Sequence, residues 1–367
     1  MFSIFPTARL RPSPFYESVV AEGLKTAMVY NRMILPASYG YPMEEYWRII
    51  NGVSMWDVGA QRQVQVTGRD AAELVQALSP RDLSKCKIGQ GKYVPLCNHN
   101  GVLINDPIIL KLDEDRYWLS IADSDVLSWS QAIAGERSLK VELQEPDVSP
   151  LAVQGPQAED VVASLFGDWV RDIKYFWFRE TELEGIPVAV QRSGWSKQGG
   201  FEIYLKDGSR GSELWNIVKE AGRPFDIGPG APATAERTES GLVSVGGDSD
   251  DTTNPFEVRL GKYVDLHVPD DVVGIRALRR IAADGPRRHQ LGLILDGSVD
   301  GPLKFSWEPI ISGDKKVGDM TNCIWSPRMK KYIGYGLVSV SISPGDEVAV
   351  KRESGLVMAQ VVELPFL

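Results

Sequence analysis

The sequence predicts an α+β chain: two related α+β subdomains followed by a small all-β region. Three observations carry this reading. First, Val66-Thr-Gly68-Arg-Asp-Ala71-Ala-Glu-Leu74-Val75 is echoed by Val153-Gln-Gly155-Pro-Gln-Ala158-Glu-Asp-Val161-Val162. Both stretches read as a strand, a glycine turn and an amphipathic helix. Second, a strand at 117–122 with a helix from Ser124 (Val126, Leu127, Trp129, Ile133) is echoed at 202–205 and 211–221 (Leu214, Trp215, Ile217, Val218). The echoes fall about 87 residues apart, the mark of a duplicated unit. Chance likeness between amphipathic helices is the competing explanation, because the identities are few. Third, from about Gly285 the pattern shifts to short strands at 290–295, 332–340, 347–351 and 358–363, punctuated by Ser343-Pro344-Gly345-Asp346. These predict a β-barrel or β-sandwich. The expected domains are therefore 1–284, holding the pair of α+β subdomains, and 285–367.

The remaining elements follow from local signals. Strands at 107–112 and 117–122 flank the polar turn Asp113-Glu-Asp-Arg116. The Gly/Pro-rich stretch 226–232 marks a loop before a predicted helix at 234–245. The acidic tract 248–255 reads as a solvated surface loop. The basic run Gly285-Pro-Arg287-Arg288-His289 reads as a solvated linker rather than a phosphate site.

Composition narrows the function classes. The chain has 367 residues, 43% apolar and 24% charged, with a net charge of −9. The acidic balance argues against a nucleic-acid partner. No run approaches the roughly 18 apolar residues of a membrane span. Residues 1–11 contain Pro6, Arg9 and Arg11 and no signal-peptide core, so a cytoplasmic protein is expected. Cys86, Cys97 and Cys323 make neither a disulfide framework nor a metal spacing, and read as buried thiols in a reducing compartment. Three scattered histidines, His99, His267 and His289, argue against a metal site or a catalytic triad. No P-loop, dinucleotide-binding or nucleophile-elbow motif is present.

The richest segment is Ser193-Gly-Trp195-Ser-Lys197-Gln198-Gly199-Gly200-Phe201-Glu202-Ile203-Tyr204. Adjacent glycines let backbone approach a flat ligand. The alternation after them predicts a strand that aims Glu202 and Tyr204 the same way. A carboxylate beside aromatics suits a flat heterocycle with N–H donors, such as a pterin. Elsewhere, Asp106 precedes Pro107 at the head of an apolar strand, where a plain turn is the simpler reading. Tyr93 follows Gly89-Gln90-Gly91-Lys92 and also fits a half-buried strand aromatic. Arg237 and Glu239 lie two apart on the predicted helix and also fit a solvated face.

Together these motifs resemble the folate-dependent aminomethyltransferases, the T-protein family of the glycine cleavage system. The resemblance runs over nearly the whole chain: Met55-Trp-Asp-Val58, Val66-x-Gly68-x-Asp70-Ala71, Gly101-Val-Leu-Ile-Asn-Asp106, Gln154-Gly155-Pro156, Gly199-Gly200-Phe201-Glu202, Glu236-Arg237-x-Glu239-Ser-Gly241, Ser326-Pro327, Lys331-x-Ile333-Gly334 and Val362-x-Leu-Pro-Phe366. Within it the chain is most similar to the dimethylsulfoniopropionate demethylase branch. The shared runs are Arg9-Leu10-Arg11-x-x-Pro14-Phe15, Val29-Tyr30-Asn31-x-Met33-x-Leu35-Pro36, Arg62-Gln63-Val64, Ser120-Ile-Ala-Asp-Ser-Asp125 and Arg192-Ser-Gly-Trp-Ser-Lys-Gln-Gly-Gly200. True T-proteins have a tyrosine where Trp195 stands and an acidic pair in place of Lys197-Gln198.

The resemblance implies a three-subdomain aminomethyltransferase fold around a folate cleft, with a C-terminal β-barrel. It implies tetrahydrofolate as methyl-accepting co-substrate, with its pterin edge on Glu202. Tyr93, Trp195 and Tyr204 would line the ring pocket, Asp106 would sit at the N5 and N10 edge as the catalytic residue, and Arg237 would lie near the benzoyl-glutamate side. Tyr30, Trp195 and Tyr204 would contact the substrate. The expected partner is a small-molecule methyl donor, with no metal, no membrane and a second copy of the chain as the oligomeric option. The chain departs from the demethylase pattern at Val245-Gly246-Gly247, where a tyrosine is lost, and at Ala231-Pro232-Ala233. An N-methyl or O-methyl donor therefore stays open. So do an aminomethyltransferase working with a lipoyl carrier protein and a non-catalytic folate-binding protein.

Overall fold

The computed structural model describes residues 7–297, 301, 302 and 306–367; residues 1–6 of the opening segment lie outside the described residues. The chain divides into two compact units. One holds the residues up to Leu74, Cys86–Lys92 and Ile108–Ala233; the other holds Val75–Lys85, Tyr93–Pro107 and Thr234–Leu367.

The first unit is built from two sheets that repeat one topology. The five-stranded sheet runs, in spatial order, Glu142–Gln144, Gln63–Thr67, Arg116–Ser120, Ile108–Asp113, Gln90–Tyr93. The six-stranded sheet runs Gly228–Gly230, Ser54–Asp57, Ser149–Gln154, Gly200–Leu205, Ile186–Gln191, Phe178–Leu183. Each repeat places its last strand near its first, then its fourth, third and second. The one difference is that Ser54–Asp57, from early in the chain, is inserted in the second sheet. Its register partner in the repeat is Ser149–Gln154, with Met55 opposite Val153.

The echoed glycines explain the likeness. Gly68 and Gly155 have φ of 117° and 122° and end the first strand of each repeat. A side chain there would also meet backbone, Lys140 at one and Gly52 at the other. Each carbonyl accepts the N–H of the residue three on, Ala71 and Ala158, which opens the helix. The helices Ala158–Phe166 and Gly211–Gly222 bury Val161, Val162, Leu214, Trp215 and Val218 against Val153, Val188 and Ile203 of the second sheet. Asp125 caps Val126–Glu136 by accepting the Ser128 N–H at 3.2 Å. The two sheets meet through Leu110, Leu112 and Trp118 on one side and Phe178, Ala189 and Tyr204 on the other.

In the second unit, Arg288–Leu295, Lys331–Ser339, Lys315–Ser326, Glu308–Ser312, Glu347–Arg352 and Gly355–Val362 form a closed antiparallel barrel around Leu293, Ile310, Met320, Val350 and Val361. Closure removes the free edges that a sandwich would keep.

Several local expectations are corrected. The helix expected at 234–245 spans only Thr234–Glu239. Gly241 takes φ 71°, its N–H bonds to the Thr238 carbonyl, and the Leu242 N–H reaches Arg237 O, a Schellman stop. The 226–232 loop contains a short strand, Gly228–Gly230, paired parallel with Ser54, Met55 and Trp56. The acidic tract is not a solvated loop: Asp248, Ser249, Thr253 and Asn254 are buried. The basic run is not a solvated linker, because Arg288 opens a barrel strand and pairs with Asp250 and Glu257.

Candidate functional site

Strand Gly200–Leu205 aims Glu202 and Tyr204 at the same face, as the alternation requires, but the face is interior: Glu202 is 4% exposed and Tyr204 0%. Ser193 donates to the Glu202 carboxylate. The Tyr204 hydroxyl lies 3.2 Å from Glu202 Oε2 and 2.9 Å from Gln191 Oε1. Among the described residues, only these neutral hydroxyls reach the carboxylate. Burial raises the Glu202 pKa, while Ser193 and Tyr204 oppose the rise. Burial, then repulsion from Glu202, holds the Tyr204 phenol well above its ordinary value.

The loop before the strand is shaped by Gln154. Its Nε2 donates to Ser193 O at 3.0 Å and Phe201 O at 3.3 Å, and its Oε1 accepts from Ser196 Oγ at 2.8 Å. Gly194 and Gly200, at φ 147° and 151°, lie directly on this amide, where a Cβ would overlap it. The loop therefore carries Trp195 half-buried on a fixed base. Tyr30 ends strand Thr26–Tyr30 and packs against Met33, Leu35 and Ala60.

In the second unit, Tyr93 donates to Asp106 Oδ2 at 2.7 Å. Burial pushes the Asp106 carboxyl up to about 7, against the lowering effect of that bond. Tyr93 meets Tyr263 edge-on, with ring centroids 5.0 Å apart. Arg81 and Lys262 lie over the Tyr263 ring at 5.2 and 5.1 Å, and Arg81 also donates to Tyr93 O at 2.8 Å. Val245, the position of the lost tyrosine, packs like Tyr93, Tyr263 and Trp307 against the cluster of Leu103, Val243, Val258 and Leu260; the Trp307 indole N–H holds Gly247 O at 2.9 Å.

Arg237 and Glu239 do not form a solvated face. Arg237 is 6% exposed and its guanidinium is committed to Asp248, which also accepts from Thr321, Asn322 and the Ser244 N–H. Glu239 is fully buried against Ser326 and Arg328. Sequence reasoning missed Ser193, Gln191, Gln154, Arg81, Tyr263 and Trp307. Ser193 stood inside the recognised segment, whereas nothing local marks Tyr263 or Trp307. The three cysteines are buried, with no disulfide among the described residues. Among the described residues no cluster of His, Cys, Asp and Glu could hold a metal, and no helix is long and apolar enough to cross a membrane.

Comparison with known proteins places these parts in a family. Residues 15–268 match the GCVT N-terminal domain, and residues 288–367 match the glycine cleavage T-protein C-terminal barrel domain. The dimethylsulfoniopropionate demethylase DmdA of Ruegeria pomeroyi is 40% identical over 357 residues, covering 97% of each chain. An aminomethyltransferase of Symbiobacterium thermophilum is 30% identical over 370 residues, again covering 97% of each. The crystal structure of glycine cleavage system aminomethyltransferase T from Bartonella henselae superimposes with a TM-score of 0.84 at 23% identity, over 97% of this chain and 98% of that one, and shares the fold. The duplicated sheets, the closed barrel and these matches make the chain a member of the glycine cleavage T-protein family of folate-dependent transferases.

Proposed function

We propose that this family member is a demethylase that transfers a methyl group from a small sulfonium, dimethylsulfoniopropionate or a close relative, to N5 of tetrahydrofolate. The observation that carries the folate part is Glu202: a buried carboxylate met only by neutral donors among the described residues. Such a group suits two adjacent N–H donors of a pterin edge, a charge-assisted and geometrically selective contact. The donor part is supported by the higher identity to the demethylase than to the aminomethyltransferase, 40% against 30%.

In this reading the C–S bond breaks as the C–N bond forms, the thioether leaves neutral, and the N5 proton passes to solvent. A sulfonium is already a good leaving group, so the protein supplies orientation and exclusion of water. The Trp195 indole would hold the cation by its π face, worth roughly 0.5–2 kcal/mol. Tyr204 and Tyr30 complete the proposed donor contacts. Asp106, held by Tyr93, acts through electrostatics and positioning rather than as an obligatory base. Arg237 supports the loop that follows it through Asp248 and, by the family pattern, the benzoyl-glutamate side. We also assign the domain boundary to 284/285 and the enzyme to the cytoplasm.

The test is direct. Incubate the purified protein with tetrahydrofolate and a panel of sulfonium, methylammonium and methoxy compounds, and follow 5-methyltetrahydrofolate. A sulfonium is expected to give the product. A panel in which no compound yields it would remove the demethylase reading, and turnover of a carrier-bound aminomethyl group would replace it.

A further inference from the structure

Arg9, Arg11, Arg32 and Arg62 play no part in the proposed reaction, yet the first unit brings them to one place. A cleft of about 640 Å³ is lined by Ala8, Arg9, Arg11, Arg32, Arg62 and Glu145, and by none of the residues assigned to folate or to the methyl donor. Each support is built into the fold. Arg11 bridges Met33 in parallel; its N–H donates to Arg32 O at 2.9 Å and its carbonyl accepts from Ile34 N at 3.1 Å. Arg62 stands just before strand Gln63–Thr67, and its carbonyl accepts from Ile121 N at 3.0 Å. Arg32 closes the two-residue turn between Thr26–Tyr30 and Met33–Ser38. Asn31 anchors that turn, its side-chain amide donating to Ala60 O at 3.0 Å and Ala122 O at 3.1 Å. Arg32 takes φ 60°, where a glycine would be less strained.

The charges of this cleft do not balance. Its lining carries four guanidiniums and one carboxylate, on a chain whose net charge is −9. Glu145 accepts from Arg11 at 2.9 Å and from Arg62. Burial acts to raise the Glu145 pKa, but the bonds from Arg62 and Arg11 outweigh it and hold the carboxyl below its ordinary value, so it is ionised. Asp125 lies 3.7 Å from Arg32, where both side chains are largely exposed, and Asp123 is turned to the Asn31 N–H at 2.8 Å. Exposure is graded through the cleft: the Arg62 side chain is 15% exposed, Arg11 45% and Arg32 74%. Arg62 Nε is buried with no acceptor among the described residues, so Glu145 meets only part of this guanidinium. The adjoining stretch Met1-Phe-Ser-Ile-Phe-Pro6 contains no acidic side chain.

We propose that this cleft binds a small oxyanion carrying two or more negative charges, a phosphate compound or a polycarboxylate. Guanidinium groups suit such ligands because their planar fork meets two oxygens at once. Arg62 and Arg11 would hold one charged group, and Arg9 and Arg32 a second nearer the solvent. A monoanion would leave the excess of positive charge standing. The site shares no lining residue with the folate and donor contacts, so it holds whether or not the demethylase reading does.

The experiment is calorimetric titration of the full chain with pyrophosphate, citrate and chloride at fixed pH and ionic strength, with thermal melts to check folding. Pyrophosphate or citrate should bind saturably at a single site and raise the melting temperature to a plateau, while chloride does neither. The tighter of the two tells a phosphate ligand from a polycarboxylate. Arg62→Gln should weaken binding about tenfold or more, the scale of a hydrogen bond to a charged group. Arg9→Gln combined with Arg32→Gln should weaken it about two- to fivefold, the scale of exposed charges. Glu145→Gln removes the competing carboxylate and should tighten binding about threefold or more. Arg223→Gln, which removes an exposed arginine outside the cleft, should bind like the unaltered protein. The site is overturned if neither pyrophosphate nor citrate binds saturably, or if Arg223→Gln weakens binding as much as the Arg9 and Arg32 pair does. Should Arg62→Gln fail to fold, that pair and Glu145→Gln decide the matter alone.

Discussion

Glu202 in the first unit and Asp248 in the second are buried to nearly the same degree, 4% and 0% exposed, yet their surroundings are opposite. Asp248 meets a guanidinium, a hydroxyl, an amide and a backbone N–H. Glu202 meets hydroxyls only, among the described residues, and its protonated form is favoured by burial. A carboxylate whose charge is matched inside the fold is spent on the fold. One that is enclosed without a matching charge keeps acceptor capacity for something that arrives later.

The largest effect that would break this contrast is on stability. Arg237→Leu leaves Asp248 charged and unmatched, and should cost about 3–5 kcal/mol in denaturant unfolding. A loss under about 1 kcal/mol would mean the pair is not structural. Glu202→Gln should do the reverse: little change in unfolding free energy, but a fall in folate affinity of about ten- to hundredfold, as for a hydrogen bond to a charged group. Unchanged affinity by calorimetry would put the two carboxylates in the same class.

A smaller effect sharpens the comparison with Asp106, whose carboxyl rises from 3.8 to about 7 in the folded protein. As pH climbs from near 4 to near 7 the unfolded chain releases this proton while the folded chain keeps it, so stability falls across that window. Asp106→Asn removes the loss. The melting temperature of the variant should exceed that of the unaltered protein increasingly toward pH 7, and parallel curves would show that the group is not perturbed by the fold.

What the sequence could say about these regions depended on range. The duplication was legible because a left-handed glycine and a helical stripe are local, and Gly68, Gly155, Val161 and Leu214 stand where the pattern put them. Four barrel strands were legible by their apolar runs. The strands Glu308–Ser312 and Lys315–Ser326 were not, because the second carries Lys315, Lys316, Asp319 and Asn322 and its alternation is broken by a bulge between Met320 and Asn322. Arg237, Glu239 and Asp248 looked solvated for a related reason. Their partners, Thr321, Ser326 and Arg328, are far along the chain, and charge alone does not reveal a distant match. The Glu202 strand and the Tyr93–Asp106 pair lay near motifs; Gln63 and Ser120 also stood in quoted runs, but their bond showed only once the strands Gln63–Thr67 and Arg116–Ser120 were laid side by side.

The inserted strand Ser54–Asp57 has a consequence for how the duplication can be taken apart. The two repeats look like modules joined by a connection near residue 146, but they cannot be parted there. A fragment beginning after that connection would carry Ser149–Gln154 and Gly228–Gly230 without the strand that lies between them, and would expose two open edges. A fragment ending before it would leave Trp56 and Met55 without Ala152 and Val153, the residues opposite them in the sheet. Each half is thus incomplete alone, and the ancestry visible in the topology no longer corresponds to separable pieces.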